Sequence, residues 1–225
     1  MSSYVDEVRG AHGAAAAHAD AAPHGGIHVD YPERPVEYQT EDGSLKITGF
    51  WVFLATDLIL FACLFATFVV LRTHTAGGPT AKDLFDVKGF TEETFILLTS
   101  SFTGGLATFE MHRGKKARVI GWLIVTALLG LSFVSLEVHE FVKYALAGAT
   151  IQRSAFLSAF FTLVGTHGSH VSIGILWMTS IIIQVAMRGI NPITARKVFI
   201  VNLYWHFLDV VWVFLFTVVY LMGVM

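Results

Sequence analysis

The sequence predicts an all-α integral membrane protein, a bundle of five transmembrane helices with an inside N-terminus, an outside C-terminus and a disordered N-terminal tail. Of its 225 residues, 54% are hydrophobic and 14% are charged, whereas soluble domains carry about 25% charged residues. Five apolar segments each reach the length of about 20 residues that a helix needs to cross the hydrocarbon core. The net charge of −2 argues against a nucleic-acid partner. The single cysteine excludes an internal disulfide and a cysteine-rich metal site.

The chain divides into three parts. Residues 1–30 form an Ala/His/Gly-rich tail of low complexity, which we expect to be disordered and solvated. Its four histidines leave weak metal binding as an alternative, although their irregular spacing argues against a defined site: His12, His18, His24 and His28. Residues 31–45 are a polar lead-in on the cytoplasmic side, and residues 46–225 form the five-helix transmembrane domain. No basic region followed by an apolar run marks a secretory signal, so we expect the first span to remain in the mature protein.

Five spans follow the lead-in, separated by short polar linkers. The fourth is longer than a bilayer requires and is long enough to tilt. The longest linker, residues 72–92, contains Gly77-Gly78-Pro79, which is a turn signal. The predicted spans are Ile47–Leu71, Glu93–Met111, Val119–Tyr144, Ala155–Met187 and Val198–Met222.

Lysine and arginine counts set the expected orientation, because short cytoplasmic loops are enriched in these residues. With the N-terminus inside, ten of the 15 basic residues fall on the inner side and five on the outer side. The loops that join spans two and three and spans four and five carry most of this difference. The counts therefore predict a topology with the N-terminus in and the C-terminus out.

Five acids and histidines lie deep inside the apolar segments, where a charge costs about 3 kcal/mol. At about 1.5 Å per residue, Asp57 lies about 15 Å from the inner end of its span, and His206 and Asp209 lie about 12 and 17 Å from theirs. Counted from the outside, His167 and His170 lie about 18 and 22 Å down. All five therefore share one slab near the middle of the membrane.

The shared depth predicts that Asp57 pairs with a midplane histidine, within about 6 Å, so that neither group is alone in a low dielectric. Three roles stay open for the midplane residues: structural or lipid-anchoring contacts, a proton-linked role, and direct haem or metal ligation. His167 and His170 are three residues apart and share a helix face, so they cannot ligate one haem from opposite sides.

Two further groups lie nearer the interfaces. Glu137 and Glu140, close to the outer end of span three, are expected to be solvated or to cap the helix. The tryptophans are expected to pack between helices or to anchor the membrane interface rather than to form a binding box. They are Trp51, Trp122, Trp177, Trp205 and Trp212.

From residue 47 to residue 225 the chain resembles subunit III of haem–copper respiratory oxidases, and within that family the five-helix subunit III of bacterial quinol oxidases of the bo3 type. The motifs that carry the resemblance are GFWVFLATDLILFACLFATF, TAGGPTAKDLF, SAFFTLVGTHGSHVSIG and LYWHFLDVVWVFLFTVVYLMG. The runs GTHGSHV and YWHFLDVVW are typical of the whole family. The TAGGPTAKDLF loop and the VVYLMG terminus are similar to the quinol-oxidase branch, which also has a His-rich tail.

Individual motif positions match the family residue by residue. Asp57 falls where the family has an intramembrane carboxylate, commonly Glu, that is known for carbodiimide reactivity. His167 and His170 match the family's HGxH pair, and His206 and Asp209 match its WHFxD pair. The resemblance thus marks the same five residues that depth singles out.

The third-span acids match less evenly. Glu140 matches the acid that ends the family's third-span motif, whereas Glu137 stands where many members have Gln, which puts a family role for Glu137 in doubt. Seven-helix members carry two additional N-terminal helices that are not seen in this sequence. The resemblance implies that a small subunit IV occupies that space.

The resemblance implies an accessory subunit without haem, copper or catalytic residues of its own. Haem and copper are expected in subunit I, and the implied partners are subunit I, subunit II, subunit IV and phospholipids. The complex is expected to oxidise quinol, reduce O2 to water and translocate protons across the bacterial cytoplasmic membrane. Subunit III is thought to protect it from turnover inactivation and to assist proton uptake.

Four alternatives remain. Subunit III of a cytochrome c oxidase would share the fold, because the electron donor is chosen by other subunits. An accessory protein of nitric-oxide reductase belongs to a related branch. A proton-coupled transporter predicts repeats and broken spans, which the sequence does not show. A di-haem b-type cytochrome needs facing histidine pairs on two helices.

Overall fold

The computed structural model describes residues 35–38, 43–75 and 87–221, and five long helices make up nearly all of this part of the chain. A short 3₁₀ helix, Val36–Tyr38, precedes them. The last long helix continues as a π-helix over Phe216–Leu221. The five helices are α1 (Gly43–Leu71), α2 (Val87–His112), α3 (Lys116–Leu146), α4 (Ala155–Arg188) and α5 (Pro192–Leu215).

The five predicted helices are confirmed, and several begin earlier than predicted: α5 starts at Pro192 rather than at Val198. Four helices are long and apolar enough to cross a membrane, namely α1, α3, α4 and α5 with its π-helical extension. Helix α2 is long enough but less apolar than these four, because it contains Glu92, Glu93 and Glu110 together with several serines, threonines and glycines. The count of five spans and the orientation stay predictions. The N-terminal tail and the Gly77-Gly78-Pro79 turn lie outside the described residues.

Local signals explain where α4 and α5 begin. The Ser154 side chain caps α4 by accepting a hydrogen bond from the Leu157 backbone N–H, at 3.1 Å. Helix α5 starts with a capping box, in which Asn191 accepts from the Thr194 backbone N–H and Thr194 accepts from the Asn191 backbone N–H, both at 2.9 Å. Pro192 occupies the first turn, where its missing N–H leaves no bond unmade.

The turn between α2 and α3 and the turn between α4 and α5 are short because glycine adopts the left-handed region there. Gly114, with φ of 68°, follows α2, and Gly189, with φ of 72°, follows α4. A side chain at either position would be strained, so glycine suits these helix ends. The short turns make α2 and α3, and likewise α4 and α5, antiparallel neighbours.

Four helices form a closed ring, and the fifth lies outside it. Helix α2 packs on α3, α3 on α4, α4 on α5, and α5 back on α2. Helix α1 packs mainly against α4 and α5. Burial follows this arrangement: in the apolar windows, 56% of the residues of α5 are buried, against 22% of those of α1.

Two tryptophans of α5 fill the interior of the ring. Trp205 and Trp212 are each 1% exposed. The Trp212 ring lies edge-on to Phe133 of α3, with 4.7 Å between centroids, a geometry that aromatic pairs favour. These two tryptophans therefore act as packing residues, as predicted, while Trp51 is 54% exposed on α1.

A seam of hydrogen bonds joins α2 to α5 beside these tryptophans. The Trp205 indole N–H donates to Ser100 Oγ at 3.0 Å, and the Trp212 indole N–H donates to Thr94 Oγ1 at 3.1 Å. Closer to the turn between α2 and α3, the Asn202 amide donates to Thr108 Oγ1 at 2.9 Å. Each bond satisfies a donor that would be costly to leave unpaired in an apolar bundle.

Glycine at position 130 allows α3 to approach the Trp205 ring. A Cβ at this position would lie 2.6 Å from Trp205 Cη2, an atom of a rigid ring. We expect Gly130→Ala to destabilise the protein by about 1–3 kcal/mol, the usual cost of overpacking a core. The measurement is the apparent melting temperature of the detergent-solubilised protein.

Gly121→Ala is the matched control on the same helix, since a Cβ there has nothing within 4 Å. We expect it to be neutral or slightly stabilising, because alanine favours a helix over glycine by about 1 kcal/mol. Equal melting temperatures for the two variants would contradict the close contact at Gly130.

Candidate functional site: buried polar pairs

Asp57 of α1 lies beside His170 of α4. The distance from His170 Nε2 to Asp57 Oδ2 is 3.6 Å, which is ion-pair range but longer than a hydrogen bond. Asp57 is 8% exposed. The predicted pairing of Asp57 with a histidine is therefore confirmed, and it explains how α1 tolerates a carboxylate among apolar residues.

The second ring nitrogen of His170 fixes the chemistry of the pair. His170 Nδ1 lies 2.7 Å from the Thr166 carbonyl oxygen, and because a carbonyl only accepts, Nδ1 carries a hydrogen. In a neutral ring, Nε2 would then be an acceptor facing Asp57. Such an acceptor is favourable only if the carboxyl holds a proton, and an ionised carboxylate requires a protonated ring. A proton on either group therefore makes this contact favourable.

The ring of His170 is further positioned by aromatic neighbours. Phe61 of α1 lies against it, with 5.3 Å between ring centroids. The Tyr204 hydroxyl of α5 donates to the His170 carbonyl oxygen at 3.1 Å. Helices α1, α4 and α5 therefore meet at this pair.

His167 lies apart from the pair, in an aromatic pocket. It is fully buried, at 0% exposure, and its ring lies 5.4 Å from Trp212 and 6.0 Å from Phe133. No described residue hydrogen-bonds to either ring nitrogen. An imidazole among aromatic rings without a partner for either nitrogen is best accommodated as the neutral ring.

His206 and Asp209 of α5 both face Ser101 of α2. The distance from His206 Nδ1 to Ser101 Oγ is 2.5 Å, and the Asp209 carboxyl lies near the same hydroxyl. Asp209 is 6% exposed, and neither of its oxygens meets a hydrogen-bond partner within the described ranges. The midplane residues therefore form three separate places in the bundle rather than one site.

The expectation that Glu137 is solvated is wrong. Glu137 is 6% exposed, because its carboxylate fits against α4 at Gly168, where a Cβ would lie 2.6 Å from Oε2. Glu140 is half-buried and accepts a hydrogen bond from the Tyr144 hydroxyl at 3.1 Å. Glu93 of α2, which the sequence analysis did not single out, lies near both acids and is 2% exposed.

Sequence reasoning also missed a polar cluster near the turn between α2 and α3. Glu37 is 3% exposed, and both of its carboxylate oxygens lie 3.1 Å from His112 Nε2. Glu110 lies 3.7 Å from Arg113 and 3.4 Å from Arg118. The signal was weak, because Glu37 belongs to a polar segment that gives no sign of folding back onto the bundle.

The Glu37–His112 contact ties the lead-in to the end of α2. We expect Glu37→Ala to release the lead-in from α2, because the variant loses both contacts with His112 Nε2. Limited proteolysis should then cut the chain before α1 several-fold faster than in the unchanged protein. Glu92→Ala, on α2 at the opposite end, is the control and should leave that rate unchanged. Equal rates for Glu37→Ala and the unchanged protein would contradict the contact.

Within the described ranges, no three His, Cys, Asp or Glu side chains come together as a metal-binding group. The expectation that haem and copper belong to a partner subunit stays a prediction. The roles of Asp57, Glu140, His167, His170, His206 and Asp209 likewise stay predictions, although the structure shows where each side chain lies.

Comparisons with known proteins agree with the motifs. The family model described as "Cytochrome c oxidase subunit III" matches residues 39–224. The chain is 56% identical to "Quinol oxidase subunit 3" of Bacillus subtilis (strain 168), over 84% of this chain and 93% of the relative.

Two other relatives carry different names. "Cytochrome bo(3) ubiquinol oxidase subunit 3" of Pseudomonas aeruginosa is 49% identical over 83% of this chain and 90% of the relative. "Cytochrome c oxidase subunit 3" of Bacillus sp. (strain PS3) is 47% identical over 86% and 93%. The predicted resemblance is confirmed. The chain belongs to the cytochrome c oxidase subunit III family, the subunits III of haem–copper terminal oxidases.

Proposed function

We propose that this chain is the accessory subunit III of a proton-pumping quinol:O2 oxidoreductase in the bacterial cytoplasmic membrane. The observation that carries the proposal is the 56% identity to a relative named quinol oxidase subunit 3. In this proposal the chain packs on subunit I, which holds the haem and copper, and joins subunit II and a small subunit IV. Its own residues perform no electron transfer.

The surface of α1 supports a role in assembly. Large apolar side chains are exposed along α1, including Val52 at 62%, Ile59 at 64% and Val70 at 68%. In a membrane such a face is covered by lipid or by another helix. The proposal assigns it to subunit I and to phospholipid tails.

The basic residues at the α2–α3 turn support phospholipid binding. The side chains of Arg113 and Arg118 are 51% and 59% exposed. They lie at the predicted inner interface, where cationic side chains attract anionic headgroups. Arg118 and Trp122 line one shallow groove on this surface. Tryptophan commonly anchors proteins at membrane interfaces, so its position agrees with a lipid contact.

The Asp57–His170 pair supports a proton-linked role within an accessory subunit. A histidine beside a carboxyl group inside an apolar bundle is typical of proton relays, and such a role needs no redox chemistry in this chain. We propose that the pair both stabilises the bundle and assists proton uptake by the complex.

A cytochrome c oxidase subunit III is the second candidate. The observation in its favour is the relative from Bacillus sp. (strain PS3), which carries that name and is 47% identical. Both candidates share the fold and the accessory role. They differ only in the electron donor, which the partner subunits select.

Affinity purification in mild detergent tests the proposal. We expect the tagged chain to bring down a complex with a haem signal in the reduced-minus-oxidised spectrum, and with O2 uptake driven by quinol. Uptake driven only by cytochrome c would move the chain to the second candidate. A chain that purifies without haem at every detergent strength tested would overturn both.

A further inference from the structure

An apolar groove of about 420 Å³ lies between α1 and α5. This volume lies within the range of small-molecule sites, which is about 300–1,000 Å³. Its wall includes neither residue of the Asp57–His170 pair and none of Glu93, Glu137 and Glu140. The side chains that form most of its wall are Trp51, Leu54 and Leu58 of α1 and Leu203, Phe207 and Val210 of α5.

One imidazole interrupts this apolar wall. His206 lines the groove and is half-buried. Its Nδ1 atom lies 2.5 Å from Ser101 Oγ of α2, which fixes the ring. No other described residue hydrogen-bonds to its ring, so Nε2 lacks a partner in this part of the chain. A hydrogen-bonding atom in the wall of an apolar groove specifies a ligand that carries one complementary polar group.

Ser101 allows His206 to present either a donor or an acceptor to the groove. If the Ser101 hydroxyl donates to Nδ1, the neutral ring carries its hydrogen on Nε2 and donates outward. If Nδ1 donates to Ser101, then Nε2 accepts, and the serine hydroxyl is free to turn towards the nearby Asp209. The same site therefore accommodates a carbonyl oxygen or a hydroxyl group.

We infer that this groove binds the ring of an isoprenoid quinone or quinol, with one ring oxygen hydrogen-bonded to His206 Nε2. The inference rests on the proposed function, in which the complex works on the quinol pool. The quinone offers a carbonyl and the quinol a hydroxyl, so the two forms match the two states of the imidazole.

The depth of His206 in the membrane favours a quinone over a phospholipid as the ligand. His206 lies about 12 Å from the inner end of the predicted span at 1.5 Å per residue. Charged headgroups stay at the interface, whereas acyl chains at that depth offer no hydrogen bond to an imidazole. An uncharged ring with one polar oxygen, followed by an apolar tail, satisfies both the groove and the histidine.

Photoaffinity labelling of the whole purified complex, in nanodiscs of defined phospholipid, tests the inference. The probe is an azido-quinone, and labelled peptides are mapped by mass spectrometry. We expect label on peptides of α1 around Trp51–Leu58 and of α5 around Leu203–Val210. We expect Ala55→Phe to reduce it at least fivefold, because Ala55 is an exposed residue of the groove wall.

Ala62→Phe is the matched control. Ala62 is exposed on α1, and it shares the face of Ala55 because it lies seven residues further along. It is not part of the groove wall. A general disturbance of a subunit interface would therefore affect both variants, whereas a filled groove affects Ala55→Phe alone.

A second pair of variants tests the hydrogen bond. We expect His206→Ala to lose most of the label and His206→Gln, which keeps a donor and an acceptor, to retain more of it. Equal labelling of these two variants would overturn the role of His206. Labelling confined to other subunits, unchanged labelling in Ala55→Phe, or crosslinks from the groove to another subunit would each overturn the site.

Quinol-driven and cytochrome c-driven O2 uptake, measured on the same preparation, separate the two claims. A labelled groove in a complex that takes electrons only from cytochrome c would overturn the proposed function and leave the groove as a quinone site. Quinol-driven uptake with an unlabelled groove would overturn this inference and leave the proposed function intact.

Discussion

Trp205→Ala is expected to destabilise the protein by about 3–5 kcal/mol, the usual cost of truncating a buried tryptophan. Trp205 is 1% exposed at the centre of the helix ring. Two glycines on neighbouring helices leave room for its ring. A Cβ at Gly130 would lie 2.6 Å from the Trp205 ring, and a Cβ at Gly174 would lie 3.2 Å from it. The variant would leave a cavity between α3, α4 and α5. The measurement is the apparent melting temperature of the purified complex, together with the amount of this chain retained.

Two control variants separate volume from hydrogen bonding and position. Trp205→Phe keeps much of the volume but loses the indole N–H that donates to Ser100, so we expect an intermediate loss of about 1–3 kcal/mol. Trp122→Ala removes a half-buried tryptophan of α3 and should cost clearly less. A Trp205→Ala complex as stable as the Trp122→Ala complex would contradict the central position of Trp205.

Asp57→Asn is expected to shorten the working life of the oxidase several-fold while leaving the initial rate of quinol oxidation within about twofold. An amide cannot carry a negative charge, so the 3.6 Å contact with His170 loses its ion-pair character. Since electron transfer belongs to the partner subunits in our proposal, the first turnovers should be nearly normal. The measurement is O2 uptake followed until it stops.

Asp57→Glu is the matched control, because it keeps a carboxyl group within reach of His170. We expect its working life to stay close to that of the unchanged protein. Loss of haem from the Asp57→Asn complex, or a working life equal to that of the unchanged protein, would contradict a supporting role for this pair.

The helices and the central pairing were accessible from the sequence for a physical reason. Long apolar runs have few alternatives to a membrane helix, so the five helices could be located to within a few residues. An isolated carboxylate in such a run requires a partner, and equal depth pointed from Asp57 to the histidines. His170 was found in that place.

Other features depend on packing between helices, which hydropathy and residue spacing along the chain do not reveal. Depth placed His167, His170 and His206 in one slab, but depth does not encode the neighbour that each ring meets. These neighbours are Trp212 for His167, Asp57 for His170 and Ser101 for His206. Glu137 appeared solvated because it lies near a span end, whereas Gly168 on α4 opens space that buries it. Glu37 was missed because a polar lead-in gives no signal of folding back onto His112.

The measurement that tests the central claim most directly compares the complex with and without this chain. Oxidase purified from cells that lack this chain should be assayed for haem content, initial quinol-driven O2 uptake and the time to inactivation. We predict an initial rate within about twofold per haem and a markedly shorter working life. Full haem content with no initial uptake would contradict the account, because it would place catalysis or quinol oxidation in this chain.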